Sequence, residues 1–463
     1  MFAAAAVCSA CAGDVPVRQD QPPLPARFEQ QSGGAAAQWP DAGFIHRFGS
    51  AELDALIAQA EAGSLDITAA VARARQADAR ARMAGAALLP TIDANGNATL
   101  FTGGSHGRTA HETDWSALLS ASYEVDFWGR NRAGAQSARA LSQAGEAELA
   151  TVHMTVAAGI ASSYFQVLSL RERIEIARLT LDKANELLAF VEARTAAGMV
   201  SASDLAAQRA AVANAQLLIP ALEQQQTEAL GALAVLTGQA PEGFAIHSAP
   251  LQSMLEPSIA AGLPSNLLRR RPDLIAAERR LAAANADLRA ARAALFPTLD
   301  LTLAGGAQNP AVQAAVITLS GTGYAVNVGA AVAQTVFDGG RRRAAIEEVK
   351  QRRAELLANY RAAILAALLD VENALAQWRH LDEQRQAQAD NLTQSERAFD
   401  GAQLRYREGA GAFLAVIDAE RVWYAAREQY GQYKLARLQA LLSVAKALGG
   451  GWQAPTYGMA KEQ

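Results

Sequence analysis

WSALLSASYEVDF, residues Trp115 to Phe127, decides how the chain is read. Trp115, Ala117, Leu119, Ala121, Tyr123, Val125 and Phe127 are apolar or aromatic. Ser116, Ser120, Ser122, Glu124 and Asp126 lie between them, with Leu118 the one exception. Side chains of a strand point alternately to opposite faces, so this period of two predicts a strand with one apolar and one wet face. A second region reads the same way. Between Asp300 and Asp338 the chain carries 338 − 300 − 1 = 37 consecutive uncharged residues. Gly305, Gly306, Pro310, Gly321, Gly323 and Gly329 interrupt them, and Val326, Val328, Ala330 and Val332 alternate with small or polar neighbours. A membrane helix needs about 20 mainly apolar residues without such breaks, so two strands joined by a Gly/Asn/Pro-rich loop are expected here.

Four strands in two hairpins are too few to close a transmembrane barrel, for which about eight is the minimum. If the chain makes a barrel, it must share it with other chains.

Outward from the hairpins the period changes to 3.6. No proline occurs from Gly129 to Gly198, and Val152, Val156, Ile160, Tyr164, Ile174, Leu181 and Leu188 recur at helical spacing. One helix of nearly seventy residues is expected, roughly 100 Å long at about 1.5 Å per residue. Gly340 to Gly409 reads alike, with Ile364, Leu368, Val371 and Leu375 at coiled-coil spacing. Each long helix is followed by a glycine turn and a shorter helix, and Pro220 should kink or divide the first of these. The uncharged run Leu149 to Leu170 contains His153, Ser162, Ser163 and Gln166, so it belongs to the long amphipathic helix rather than to a membrane span.

The two halves repeat. Leu89-Pro90-Thr91-Ile92-Asp93 matches Phe296-Pro297-Thr298-Leu299-Asp300 at an offset of 297 − 90 = 207. Gly129-Arg130 matches Gly340-Arg341 and Arg194…Gly198 matches Arg405…Gly409, both at 211; Ala207-Gln208-Arg209 matches Ala419-Glu420-Arg421 at 212. Ordered landmarks at a nearly constant offset indicate a duplication. The expected division is a processing segment 1–11, an N-terminal segment 12–64 and a first repeat 65–238. That repeat has a hairpin at about 91–127 and helices at about 129–197 and 203–237. A linker 239–264 leads to a second repeat 265–448, with a hairpin at about 298–337 and helices at about 340–408 and 412–448, and then a tail 449–463.

Composition excludes several classes. Forty-two Lys and Arg against 46 Asp and Glu among 463 residues give a net charge of −4, which excludes a strongly basic nucleic-acid binder. Arg269 to Arg271 and Arg341 to Arg343 are short basic runs placed at helix starts. The two cysteines, Cys8 and Cys11, lie outside the body of the chain, and the six histidines are scattered. No metal, other cofactor or catalytic residue is expected. His106 and His111, with Glu112 and Asp114, read as an ordinary polar hairpin loop. Residues 1–13 are small and apolar like the end of an export signal, and Ser9-Ala10-Cys11 resembles a lipoprotein cleavage site, with Cys11 the lipidated residue.

YEVDFWGRNR (Tyr123 to Arg132), the segment Ser265 to Leu301 with its RRRPD run, VFDGGRRRA (Val336 to Ala344) and Arg405 to Arg427 resemble the outer-membrane efflux proteins of the TolC and OprM group, most closely the NodT-type lipoproteins. The likeness extends from about residue 39 onward. It implies an α+β membrane protein, a homotrimer whose twelve strands form one outer-membrane barrel continued by a periplasmic α-helical barrel. It further implies passive conduction, with energy supplied by an inner-membrane RND transporter through a periplasmic adaptor. Adaptor-contacting tips would lie at Arg194, Gly198, Arg405 and Gly409. A gate would involve Asp418 and Arg421, with Leu414 and Asp204 as further candidates. The competing readings are the exit duct of a type I protein-secretion system and a periplasmic coiled-coil structural protein; amphipathic hairpins disfavour the second.

Overall fold

The computed structural model describes residues 23–29, 40–41, 43–105, 108–247, 250–259, 264–308, 317–319 and 322–450. Cys8, Cys11, His106 and the tail after residue 450 lie outside them. In chain order the elements are α1 (Ala51–Gly63), α2 (Leu65–Ala86), β1 (Thr91–Ser105), β2 (Arg108–Glu124), α3 (Arg130–Ala196), α4 (Ala202–Leu236) and α5 (Leu267–Arg270). Then follow α6 (Pro272–Ala293), β3 (Thr298–Gln308), β4 (Ile317–Leu319), β5 (Thr322–Ala333), α7 (Arg341–Arg407) and α8 (Phe413–Ala447).

The duplication is exact in the lengths of three helix pairs. α3 and α7 have 67 residues each and begin 341 − 130 = 211 apart; α4 and α8 have 35 each, at 413 − 202 = 211; α2 and α6 have 22 each, at 272 − 65 = 207. Three expectations need correction. Pro220 lies inside the continuous helix α4 and does not divide it, with Ala215 and Leu222 buried on either side of it; burial of the helix face outweighs the loss of one backbone hydrogen bond. The second hairpin contains a further strand, the three-residue β4. His111, Glu112 and Asp114 lie within β2, paired with Thr102, Phe101 and Thr99, so the first hairpin is strand almost to its tip.

The residues fall into two compact units. One holds Arg73–Glu146 and Ala276–Ala362. Its sheet is antiparallel in the order β1-β2-β3-β5-β4, so the two hairpins join side by side through β2 and β3. Register places Ile92 beside Ala121, Ala121 beside Leu303 and Leu303 beside Val328. One face therefore carries Ile92, Leu119, Leu301, Leu303, Val326, Val328 and Val332. The other carries Thr91, Asp93, Asn95, Ser120, Ser122, Thr302 and Asn327. Val328 is 81% and Ile92 68% exposed, so the apolar face has no cover among the described residues. β1 pairs with β2 alone, and β5 beyond Tyr324 pairs with β3 alone, which leaves two sheet edges open among the described residues. No helix among them is long and apolar enough to cross a membrane.

Each hairpin passes into its long helix through an aspartate cap. Asp126 accepts the N–H groups of Asn131 (3.0 Å) and Arg132 (2.8 Å), and Asp338 those of Gly340 (3.0 Å) and Arg342 (3.2 Å). Both carboxylates satisfy donors that a helix start leaves free.

The other unit comprises residues 23–72, Ala147–Ile275 and 363–450. Phe44, Phe48, Leu53, Ile160, Phe165, Leu233, Leu251, Leu438 and Leu441 form its main core. Within the core the hydroxyl of Tyr164 meets Ser50 Oγ at 2.8 Å, which satisfies a buried polar group.

Candidate functional site

The tip of the second unit gathers all the residues singled out for a gate or a docking end. α3 and α7 both end in glycine with left-handed backbone, Gly198 at φ 74° and Gly409 at φ 75°. The N–H after each glycine returns to the arginine five residues before it: Met199 to the Arg194 carbonyl (2.9 Å) and Ala410 to the Arg405 carbonyl (2.8 Å). This six-to-one bond is the Schellman closure, and glycine adopts its left-handed residue without a Cβ penalty. Ser201 then caps α4, accepting the Asp204 N–H at 3.2 Å.

The turns of the two repeats are held together by an apolar core of Leu187, Val191, Phe399, Ala402, Tyr406, Phe413, Val416 and Trp423. Phe399 and Trp423 stack at 5.1 Å and 10°. Arg194 crosses between the repeats: its Nη1 donates to the Tyr406 carbonyl at 3.3 Å, and its guanidinium lies 5.6 Å from the Phe190 ring and 5.2 Å from that of Tyr406. Both are cation–π distances. The two arginines of the repeated turn therefore differ, since Arg405 is exposed. Asp204 is half-buried. Burial pushes the Tyr406 hydroxyl above its ordinary pKa, Arg194 opposes the shift and the Asp204 charge adds to it.

On α8, Phe413, Val416, Glu420 and Trp423 recur at spacings of three and four and are buried, while Leu414, Asp418 and Arg421 recur on the opposite, exposed side. The structure thus brings Leu414, Asp418 and Arg421 onto one open stripe and keeps Asp204 apart on α4. No ion pair joins Asp418 to Arg421 within the chain among the described residues.

Two further polar residues, one on α4 and one on α8, are buried although the sequence did not announce it. Gln208 is fully buried and donates to the Ala184 carbonyl at 2.9 Å, with its Oε1 unpaired. Glu420, its counterpart at offset 212, is 2% exposed, with the Tyr424 hydroxyl 2.8 Å from its Oε1. Burial raises the Glu420 pKa, and the Tyr424 hydrogen bond only partly opposes this. The repeat alignment was the one signal that could have linked the pair.

Farther along, Arg437 is enclosed by Glu256 (2.6 Å), Asp382 (3.0 Å), the Tyr433 hydroxyl (3.0 Å) and the Trp378 ring (4.6 Å). Lys434 reaches the same Glu256 at 2.9 Å. The linker after α4 is thereby tied to α7 and α8. Arg271, read in the sequence as part of a basic helix start, instead bridges elements. It binds Asp273 at 2.7 Å, Asp370 on α7 at 3.1 Å and the Ala447 carbonyl at the end of α8 at 3.3 Å.

An uncovered amphipathic sheet with open edges, continuous with paired long helices, defines a membrane channel component rather than a rod. The chain belongs to the outer membrane efflux protein family, whose model matches residues 56–239 and 263–450. The two matched stretches start 263 − 56 = 207 and end 450 − 239 = 211 residues apart, the offsets of the internal repeat. The chain is 44% identical to the pyoverdine export outer membrane protein OpmQ of Pseudomonas aeruginosa, over 90% of this chain and 88% of the relative. It is 30% identical to the cation efflux system protein CusC of Escherichia coli, over 93% and 94%. Among solved structures, the outer-membrane channel OprN superposes with a TM-score of 0.85 at 28% identity, covering 93% of this chain and 98% of that one. The protein is accordingly an outer-membrane efflux channel of the Gram-negative type.

Proposed function

We propose that this chain forms, as a homotrimer, the exit duct of a tripartite RND-type efflux machine, and that it conducts small toxic compounds passively. The single observation that carries the reading is the sheet. It has four long strands, one face apolar and one polar, and open edges at β1 and β5 that a second copy can pair. Three copies supply twelve long strands, enough to close a barrel with the polar face inside. The inner-membrane transporter supplies the energy, and a periplasmic adaptor docks at the tips marked by Arg194, Gly198, Arg405 and Gly409. Threefold symmetry sets the Leu414, Asp418 and Arg421 stripe around the axis, where a ring of carboxylates held by arginines narrows the duct; Asp204 is the weaker candidate there. Cys11 carries the lipid that anchors the chain in the outer membrane.

Passive conduction fits the relatives, which share a fold although one is named for pyoverdine and another for a cation; selection by the pump accounts for such unlike cargoes. The alternative duct, that of a type I protein-secretion system, uses the same barrel. The test is expression in a strain lacking its own channel of this type but holding an RND pump and adaptor. Restored resistance to that pump's substrates supports the assignment. Restored protein secretion without resistance would move the protein to the alternative.

A further inference from the structure

The place where sheet becomes helix carries an apolar shelf that is exposed in the single chain. Phe127 continues the phase of Trp115, Leu119 and Tyr123 beyond the end of β2, and Val336 continues that of Val326, Val328 and Val332 beyond β5. Both residues lie past the strand ends, Phe127 in a turn and Val336 in a bend, so the apolar character of the sheet is carried on into the connection to the long helices. Val336 is 95%, Phe337 88% and Phe127 71% exposed. The shelf is built rather than loose. Trp128 stacks on Phe296 at 4.4 Å and 18°, its Nε1 donates to the Pro297 carbonyl at 2.9 Å, and Phe127 meets it edge-on at 4.9 Å. Gln334 ties the segment after β5 to the Leu295 carbonyl at 3.0 Å.

The arginines beside this shelf are not treated alike. In the first repeat Arg130 is paired with Glu124 at 2.5 Å and Arg132 with Asp126 at 3.2 Å. In the second, Arg342 alone is engaged, with Asp338 at 3.6 Å and the Ala294 carbonyl at 3.1 Å. Arg341 and Arg343 are exposed and have no carboxylate partner among the described residues. Glu347, one turn beyond Arg343, is taken by Lys350 and Gln351. Two unneutralised cations thus stand one turn after Phe337, at the margin of an apolar band. Aromatic side chains at the edge of such a band occupy the headgroup level of a bilayer.

We propose that the start of α7 and this shelf form a binding site for an anionic phospholipid of the leaflet on the helix side of the membrane, its headgroup attracted by the unpaired charges of Arg341 and Arg343 and its acyl chains lying on Val336, Phe337 and Phe127. The apolar shelf favours a lipid over a free anion, and charge complementarity favours an anionic headgroup over a zwitterionic one. The site rests on the membrane-facing sheet and is independent of where the gate lies.

Quenching of tryptophan fluorescence tests it, with the full-length protein in phosphatidylcholine vesicles carrying brominated phosphatidylglycerol or brominated phosphatidylcholine. The Trp128 contribution is isolated by subtracting the Trp128→Phe signal. Wild type is expected to prefer phosphatidylglycerol by roughly fivefold per arginine, at about 1 kcal/mol for each basic residue near a surface. Added salt should erode that preference, a result needing no variant. Arg341→Gln with Arg343→Gln should abolish it, and Arg130→Gln should leave it. Equal quenching by the two lipids in wild type, or an unchanged preference in the double variant, overturns the site. Displacement by millimolar inorganic phosphate with no dependence on the lipid overturns the lipid as ligand and leaves a free-anion site.

Discussion

Glu420 and Glu256 show how one residue type takes opposite roles in one unit. Burial raises the Glu420 pKa from its ordinary 4.5, so the folded chain holds a proton that the unfolded chain releases. The stability this group contributes is present below 4.5 and is lost as pH rises from there through the folded pKa. Glu420→Gln, which copies Gln208, should remove that slope: the melting temperature of the variant relative to wild type should increase between pH 4 and pH 7. A constant difference would show that Glu420 titrates in the folded tip as it does in the unfolded chain. Glu256 behaves inversely. Burial works to raise its pKa, yet hydrogen bonds from Lys434 and Arg437 outweigh it and the net shift is downward, so its contribution is lost as pH falls. Arg437→Ala leaves this carboxylate with Lys434 as its one cation and Asp382 without this arginine, and should cost about 3 kcal/mol in denaturant unfolding. Adding Glu256→Gln should recover part of that loss; strict additivity of the two would mean that the pair is uncoupled. None of these partnerships was legible in the sequence. A polar residue on a long helix looks the same whether it meets water or another helix, and Arg271 reads in the sequence only as one of a basic run at a helix start.

The elements were far more legible. A 3.6 period sustained over 67 residues and broken by glycine fixes helix ends to within a few positions, and the duplication supplied a second reading of each. What escaped was short or overridden by tertiary packing: β4 is three residues long and has no period to detect, and the burial around Pro220 keeps α4 whole. The alternation from Trp115 has the phase of the strand up to Glu124, where β2 ends three residues before Phe127. Phase gives a direct test. Val328→Lys, on the apolar face, should cost about 2 to 4 kcal/mol of membrane-inserted stability if it sits near the bilayer midplane. Asn327→Lys, one residue away on the polar face, should be tolerated. Comparison of urea unfolding in lipid vesicles decides it, and equal penalties would mean that the sheet is not inserted one face to lipid.

For the molecule as a whole, the sequence already held the main inference, because four amphipathic strands cannot close and long helices that follow them cannot form the core of a small globule. The structure adds the open edges, the single joined sheet and the paired tips. The exposed stripe of Leu414, Asp418 and Arg421 is a property of one chain, and its role depends on what symmetry places opposite it. The most direct test is single-channel conductance of the purified protein in planar bilayers, with wild type beside Asp418→Ala. Small, mostly closed currents from wild type and larger, longer openings from the variant are the expected result. Equal pores from both would retain the duct and place its constriction elsewhere. A correctly folded trimer that forms no pore in either version would contradict the duct itself.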